Sequence, residues 1–562
     1  MFVRAERGAW GYFRRTNVTQ WLPSSGGTRF AKAFVKRRSG RSVRHSPRTS
    51  LLHTSLEVAI TLAPFAVLFS AFLIFKWDAV RAVAAAWIVE LVIALGYYHM
   101  TPLRSLEASI WGNLSMWSGF LVLYTGQIFG QAYRNTGLLE ILLESVQSIL
   151  PSWDQEGRAV ALVTVVGGFI AAFNGFATYP VTIPGLVDLG FDGLSACSSY
   201  LVYFSWTLPF NSLFIAPTIS NAASRVPIID IVRSAGLLSI PLVFVSLLGF
   251  LKILGFRFWD WETQVLFWMM GLGNTLAIVL FTQIWPAYYL LMLVTGAAIS
   301  LGSIFLYGRL TMRQSVESVV GAARPEALRP SVTGAMMFRA YGPLLLGITI
   351  VLLTKIPAIA DALTHVEFRV AAWGYRPFAI NIFTSAGFFI LVTSLVAYLF
   401  RCKRAHLGKD LLTATRRSRA PLTTLLVGSA TVYLMVDAGQ IALLGRVLSS
   451  GGKLLYASLY PAVAFLGGMA FGQGLPGDFL LSQMQVRIAP MLGIPLMLLV
   501  GIVTVLTMGP PNALKPTQIS YAASLANIKG KDGEIFRICL PWQILQLVVS
   551  AILAVILVIV WK

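Results

Sequence analysis

Four short polar stretches interrupt long apolar runs of this chain, and they come in two matched pairs. The first pair lies at residues 174–184 and 207–218, and the second pair lies about 300 residues later, at residues 472–478 and 508–518. Gly and Pro in these stretches break helices, and lipid cannot satisfy the backbone N–H and C=O groups that are then left without partners. Interrupted segments in corresponding halves of a membrane chain are typical of a solute-binding site.

The polar side chains at the breaks are mostly neutral hydrogen-bond donors, and half-helices that end there would point their N-terminal N–H groups at a cavity. Such a cavity attracts a carboxylate without many buried cations. Lys515, between Leu514 and Pro516, would add positive charge, or it would extend its ammonium to the membrane surface. The candidate substrate-binding residues are Asn174, Gly175, Thr178, Thr182, Thr207, Asn211, Gln473, Gly474, Ser482, Asn512, Lys515 and Thr517.

Two carboxyl groups are candidates for carrying a coupling proton. Asp478 follows the turn-forming residues of the third break, and Glu90 lies in the middle of an apolar run. An ionisable side chain at membrane depth suggests a function by default. The alternatives are that Asp478 is an exposed turn residue and that Glu90 pairs with a polar neighbour.

The composition predicts an all-α polytopic membrane protein, because 56% of the residues are hydrophobic and only 12% are charged. Many apolar runs are long enough to cross about 30 Å of hydrocarbon. We predict about 12 to 14 transmembrane helices in two pseudo-symmetric repeats, each with a re-entrant hairpin and a broken helix. The predicted parts are a basic tail (1–50), a first membrane half (51–308), a polar linker (309–341) and a second membrane half (342–562).

The net charge of +21 is concentrated in a few segments beside the predicted spans. Residues 1–50 hold 12 Lys and Arg against one acid, and residues 401–419 hold seven against one. The positive-inside rule places both segments in the cytoplasm, whereas the more acidic segment 134–158 is expected on the other side. A transit peptide is an alternative reading of residues 1–50. Anionic lipid and orientation explain the basic charge, so no nucleic-acid partner is expected.

No metal site or cofactor is predicted. The three cysteines form no CxxC pair, the five histidines lie outside the breaks, and no Gly-rich phosphate loop is present. ATP-driven transport within this chain is therefore not expected.

Residues 167–220 and 514–542 resemble the L-lactate permease family of bacterial and archaeal carboxylate carriers. The first stretch is similar to that family's Gly-Phe-Gly, Pro-Val and Gly-Leu-Gly-Phe pattern. The second is similar to its tail, a Ser-Pro, Gly-Lys-Glu-Gly and Arg-x-x-x-Pro pattern. The likeness extends over about residues 55–560.

The resemblance implies a secondary transporter in the cell's inner (plasma) membrane that imports a 2-hydroxymonocarboxylate such as lactate or glycolate. It implies protons as the coupling ion and an inverted relation between the two repeats. Na⁺ as the coupling ion and a homodimer are left open. The chain departs from the family pattern at residues 171–174, where family members carry an acid, so another small acid also stays open as the substrate. The other functions considered are an intramembrane enzyme acting on a lipid-linked substrate and a non-transporting membrane subunit.

Overall fold

A computed structural model describes residues 47–73, 75, 77, 79–142, 155–315, 333–354, 356–364, 366–375, 377–470, 474–528 and 530–561. Residues Ile60–Lys562 form one compact unit. Within the described residues the secondary structure is almost entirely helical, with one two-stranded antiparallel sheet.

The first half contains twelve α-helices in its described residues. They are α1 (Pro47–Leu73), α2 (Ala79–Gly96), α3 (Pro102–Ser115), α4 (Trp117–Asn135), α5 (Gln155–Ala161), α6 (Gly167–Phe173), α7 (Tyr179–Asp188), α8 (Gly193–Phe204), α9 (Asn211–Ser224), α10 (Ile228–Ile253), α11 (Trp261–Val279) and α12 (Met292–Ser315). Short 3₁₀ or π segments join several of them, at Leu162–Val166, Gly175–Thr178, Leu208–Phe210, Leu280–Ile284 and Pro286–Leu291.

The second half contains ten helices and the two strands in its described residues. They are α13 (Gly334–Leu353), α14 (Pro357–Thr364), β1 (Phe368–Val370), β2 (Phe378–Ile380), α15 (Ala386–Leu399), α16 (Leu407–Asp437), α17 (Gln440–Ser449), α18 (Gly452–Ala470), α19 (Gly474–Leu492), α20 (Leu496–Met508), α21 (Pro516–Leu525) and α22 (Asp532–Val560). A 3₁₀ segment, Pro510–Leu514, lies between α20 and α21.

The chain is a multi-pass membrane protein. Eight helices in the described part are long and apolar enough to cross a bilayer, and two shorter apolar helices accompany them. Two of these eight, Gln155–Phe173 and Leu496–Leu514, belong to the interrupted segments. The total of 12 to 14 crossings stays a prediction. Helix α12 ends at Ser315 and helix α13 begins at Gly334, so the two ends of the predicted linker 309–341 are helical.

Each half contains a helical hairpin followed by a broken helix, as the spacing of the breaks predicts. The first hairpin is formed by residues 155–188, and the first broken helix is formed by α8 and α9. The second hairpin is α18 and α19, and the second broken helix is α20 and α21. Pro510 is the first residue of the 3₁₀ segment at the second helix break, and Pro209 is the second residue of the segment at the first break. The N–H that proline lacks would have no helical partner at these positions. These elements place the broken backbone of both halves in the protein interior.

One expectation about orientation is wrong within the described residues. The end of α4 contacts the basic segment 401–419, because the Thr136 carbonyl accepts hydrogen bonds from the Cys402 and Lys403 N–H groups at 2.9 and 3.0 Å. Lys403 also pairs with Glu140. Residues 134–142, the described start of the acidic segment, therefore lie on the same side as the basic segment, which we call the basic face. Opposite charges attract across this contact, whereas the sequence argument treated each segment alone.

The other face carries a polar cluster around Arg104, at the start of α3. Its guanidinium donates to both oxygens of Asp437 at 2.6 and 3.0 Å and lies 4.4 Å from the centre of the Tyr375 ring. Tyr375 stacks on Trp111 in turn. The cluster joins the ends of α3 and α16 to the β-hairpin, and it marks what we call the hairpin face. Residues 1–46 lie outside the described residues, so the cytoplasmic location of the N-terminal tail stays a prediction.

Candidate functional site

A buried cavity lies where the four breaks meet. Its cavity volume is about 40 Å³, and part of it opens to solvent. Its wall contains residues from both hairpins and both broken helices, and α4 closes one side. The lining residues are Val122, Leu123, Gly126, Gln127, Asn174, Leu208, Asn211, Ser212, Ile215, Gly474, Leu475, Met508, Asn512 and Lys515. We call it the central cavity.

The tip of the first hairpin contributes Asn174, which ends α6 with extended backbone angles. Its side-chain amide donates to the carbonyl oxygen of Gly126 on α4. The next residue, Gly175, approaches the first broken helix so closely that an added Cβ would lie 2.0 Å from Nδ2 of Asn211. Only glycine permits this approach, which holds the Asn211 amide at the cavity wall.

The first broken helix turns through a left-handed segment at the cavity. Ser212, Leu213 and Phe214 have φ values of 49°, 53° and 62°, although none of them is glycine. Such a conformation costs about 1–2 kcal/mol for each residue. The Ser212 hydroxyl accepts a hydrogen bond from the Gly175 N–H at 3.2 Å, which ties the turn to the hairpin tip. Backbone strain of this kind persists where the surroundings enforce it and is often found at functional sites.

The second half contributes the start of α19 and the break after α20. Gly474 and Leu475, in the first turn of α19, both line the cavity, so the positive end of a helix dipole faces it. An added Cβ on Gly474 would lie 2.7 Å from the Thr507 carbonyl oxygen and 3.3 Å from Nζ of Lys515. Asn512 also lines the cavity, and its amide donates to the Tyr179 hydroxyl of α7 at 3.0 Å. This bond connects the two halves beside the cavity.

Lys515 is the only charged side chain among the described residues that line the central cavity. It is 1% exposed, and its ammonium forms no hydrogen bond or ion pair with any described residue. The alternative that it reaches the membrane surface is therefore wrong for this conformation. A buried ammonium without a partner is costly, and an anion in the cavity would compensate its charge.

Asp478 is completely buried in α19, so the exposed-turn alternative is wrong. Its Oδ1 accepts a 2.7 Å hydrogen bond from Ser220 and a longer one, 3.4 Å, from Ser482. The Ser220 hydroxyl also lies 2.7 Å from that of Thr504. Oδ2 has no hydrogen-bond partner in the described structure. The carboxyl does not line the central cavity, so it belongs to a separate polar cluster between α9, α19 and α20.

Glu90 is also fully buried, and its polar neighbour is Gln440 at the start of α17. The Gln440 amide donates to Oε1 of Glu90 at 2.7 Å. Oε2 of Glu90 and Oε1 of Gln440 have no partners among the described residues. This pair does not line the central cavity. The structure therefore favours the reading in which Glu90 pairs with a polar neighbour.

Several predicted site residues lie behind the cavity wall rather than in it. The Thr178 hydroxyl donates a hydrogen bond to the Gly175 carbonyl at 2.6 Å and also contacts the Tyr200 hydroxyl. The Thr182 hydroxyl donates to the Thr178 carbonyl at 2.8 Å. Thr207 bonds the Phe204 carbonyl at 2.8 Å. These hydroxyls satisfy the broken backbone, which is a structural use of the same residue type. Ser482 lies in the Asp478 cluster.

Two further predictions have different outcomes. Thr517 is exposed and does not line the cavity, because it lies on the outer side of the first turn of α21. Gln473 lies outside the described residues. The sequence analysis did not identify Ser212, Gly126 and Gln127 as cavity-lining residues. Of these, only Ser212 could have been found from the sequence, because it directly follows Asn211 at the second break.

A family model described as L-lactate permease matches residues 57–561 of this chain. The L-lactate permease of Bacillus subtilis (strain 168) is 22% identical over 555 residues, which cover 89% of this chain and 95% of that protein. Among solved structures, the crystal structure of the YdaH transporter of Alcanivorax borkumensis is similar at 14% identity. It covers 84% of this chain and 98% of its own, with a TM-score of 0.38.

Proposed function

The chain belongs to the L-lactate permease family, and from that premise we propose that it is a secondary transporter of a small 2-hydroxymonocarboxylate such as lactate or glycolate. Protons are the proposed coupling ion, and import across the plasma membrane is the proposed direction. The observation that carries the proposal is the position of Lys515, a buried and unpaired cation in the wall of a cavity formed by all four breaks.

The binding step follows from the cavity's chemistry. The solute carboxylate would approach the Lys515 ammonium and the start of α19, where a helix dipole adds positive potential. The amides of Asn174, Asn211 and Asn512 can donate to its remaining oxygen atoms and to its 2-hydroxyl group. Apolar side chains such as Ile215 would enclose its short carbon chain. This arrangement suits a small anion with a neighbouring hydroxyl group.

The proposed proton carrier is Asp478. A carboxyl can take up a proton and so lose its charge while it stays buried, and Oδ2 is the oxygen without a partner among the described residues. The hydroxyl groups that donate to this carboxyl come from both halves, Ser220 on α9 and Ser482 on α19. Movement of one half against the other would therefore change the surroundings of this carboxyl. Because an oxygen cluster could also hold Na⁺, the assay must separate the two ions.

The proposal is tested in proteoliposomes by counterflow of labelled lactate against a panel of unlabelled small acids. Competition by 2-hydroxymonocarboxylates, but not by acids without the hydroxyl group, is the expected pattern. Uptake driven by an imposed pH gradient in Na⁺-free medium supports proton coupling, whereas a strict need for Na⁺ refutes it. We also expect Asn174→Ala and Lys515→Ala to abolish uptake while the protein stays in the membrane. Full transport by both variants would contradict the site.

A further inference from the structure

A second and larger cavity lies beside the central one, and the proposed binding step does not use it. Its cavity volume is about 280 Å³, and part of it opens to solvent. Its wall includes the end of α9, the junction of α3 with α4, and the segment from the β-hairpin to the start of α15. Exposed residues such as Ala379 and Thr384 form its rim, so it opens toward the hairpin face. We call it the outer cavity.

The strained turn of the first broken helix lies between the two cavities. Ser212 lines the central cavity, and the next residue, Leu213, lines the outer cavity. This left-handed stretch of chain therefore borders both cavities and forms part of the partition between them. Phe214, the last residue of the turn, packs edge-on against Tyr289, with ring centres 4.9 Å apart, and Tyr289 also lines the outer cavity. A solute that crossed this partition would pass from one cavity to the other.

The charge of the outer cavity suits an anion. Arg225 is the only charged side chain among its described lining residues, and no acid is among them. The remaining polar groups are neutral amides and hydroxyls, including Asn221, Asn381 and Ser385. Arg225 itself is exposed and ends α9 in a left-handed conformation, φ 64°, with its N–H bonded to the Asn221 carbonyl at 2.8 Å. The backbone therefore holds the position from which this guanidinium extends.

We propose that the outer cavity is a second solute site, in which Arg225 binds the carboxylate of the same small acid before it passes the Ser212–Phe214 turn. This proposal rests on the proposed function. A guanidinium presents several N–H donors in one plane and matches a carboxylate well. In a water-filled cavity of one sign of charge it also raises the local concentration of the anion, and it does so less at high ionic strength.

The first test compares the kinetics of uptake for Arg225→Gln and Arg225→Lys. The control is Arg233→Gln, because Arg233 is a half-exposed arginine on α10 that does not line the outer cavity. We expect Arg225→Gln to raise KM for lactate about two- to fivefold with little change in kcat, in keeping with a solvated ion pair. It should also weaken the dependence of uptake on ionic strength. Arg225→Lys should keep most of both properties, and Arg233→Gln should behave as the wild type.

The second test follows occupancy of the outer cavity directly. Cys402 is the exposed native cysteine, whereas Cys197 and Cys539 are buried, so Cys402→Ser provides a background for thiol labelling. In that background Ala222→Cys places a thiol in the cavity wall, and Ala371→Cys places one at an exposed position outside it. We expect lactate to slow labelling of the first thiol by a sulfonate-bearing reagent, and to lose that effect when Arg225→Gln is added. Labelling at position 371 should not respond to lactate.

The outcomes separate the two proposals. Wild-type protein that transports no small acid refutes the proposed function. If the wild type transports normally and Arg225→Gln leaves KM unchanged, only the outer site is overturned. The same holds if lactate protects the thiol at position 222 from labelling equally well with and without Arg225. A loss of kcat with unchanged KM also overturns it, because that pattern indicates a structural role for Arg225.

Discussion

Replacement of Lys515 by Met should abolish efficient transport and at the same time make the protein more stable. Met has nearly the same length and removes only the positive charge. Lys515 is 1% exposed and its ammonium has no partner among the described residues, so the folded protein bears the cost of burying it. Function and stability are therefore expected to change in opposite directions.

The size of the transport defect follows from electrostatics. A carboxylate about 4 Å from the ammonium gains about 4 kcal/mol at an effective dielectric constant of about 20. Since about 1.4 kcal/mol corresponds to a tenfold change in affinity, the upper limit is about a thousandfold. Desolvation of the solute reduces this gain, so we expect KM to rise about a hundredfold. Removal of the uncompensated charge should raise the free energy of unfolding by about 1–4 kcal/mol.

The assay pairs lactate counterflow in proteoliposomes with thermal unfolding in detergent. Lys252→Met is the matched control, because Lys252 is an exposed lysine near the end of α10 and should change neither quantity. Lys515→Arg keeps the charge and should retain part of the uptake. A KM for Lys515→Met within about threefold of the wild type would refute the electrostatic role. A lower melting temperature together with lost uptake would show instead that Lys515 supports the fold.

Three further substitutions test other parts of the structure. Asp478→Asn should retain lactate counterflow, but its rate of uptake driven by a pH gradient should fall about tenfold or more, because an amide cannot take up and release the coupling proton. Intact gradient-driven uptake would exclude Asp478 as the proton carrier. Gly175→Ala should lower uptake by about a hundredfold with normal membrane insertion, because the new Cβ displaces the Asn211 amide and misplaced ligands are costly; normal uptake would exclude Asn211 as a ligand. Glu90→Gln should leave uptake unchanged and stabilise the protein by about 1–3 kcal/mol, because two facing amides can satisfy both orphan atoms of the Glu90–Gln440 pair; lost proton coupling would return Glu90 to the mechanism.

The class of protein and the positions of the breaks depend on local chemistry, and both can be predicted from the sequence. A long apolar run forms a membrane helix wherever it lies, and Pro or Gly interrupts a helix regardless of its neighbours. For this reason the residue pattern predicts a hairpin at residues 174–184 and broken helices at residues 207–218 and 508–518, where the structure has them.

Which polar groups face the cavity was decided only by the tertiary structure. Membrane helices are apolar on every side, so their sequence pattern does not reveal which face points inward. Thr178 and Thr182 donate to backbone carbonyls instead of facing the cavity, whereas Gly126 lines the cavity from an ordinary apolar span. The contacts that place Lys515 beside Gly474, and Asp478 beside Ser220, join residues 41 and 258 positions apart. Such contacts depend on how whole helices pack, and no local pattern of residues encodes that packing.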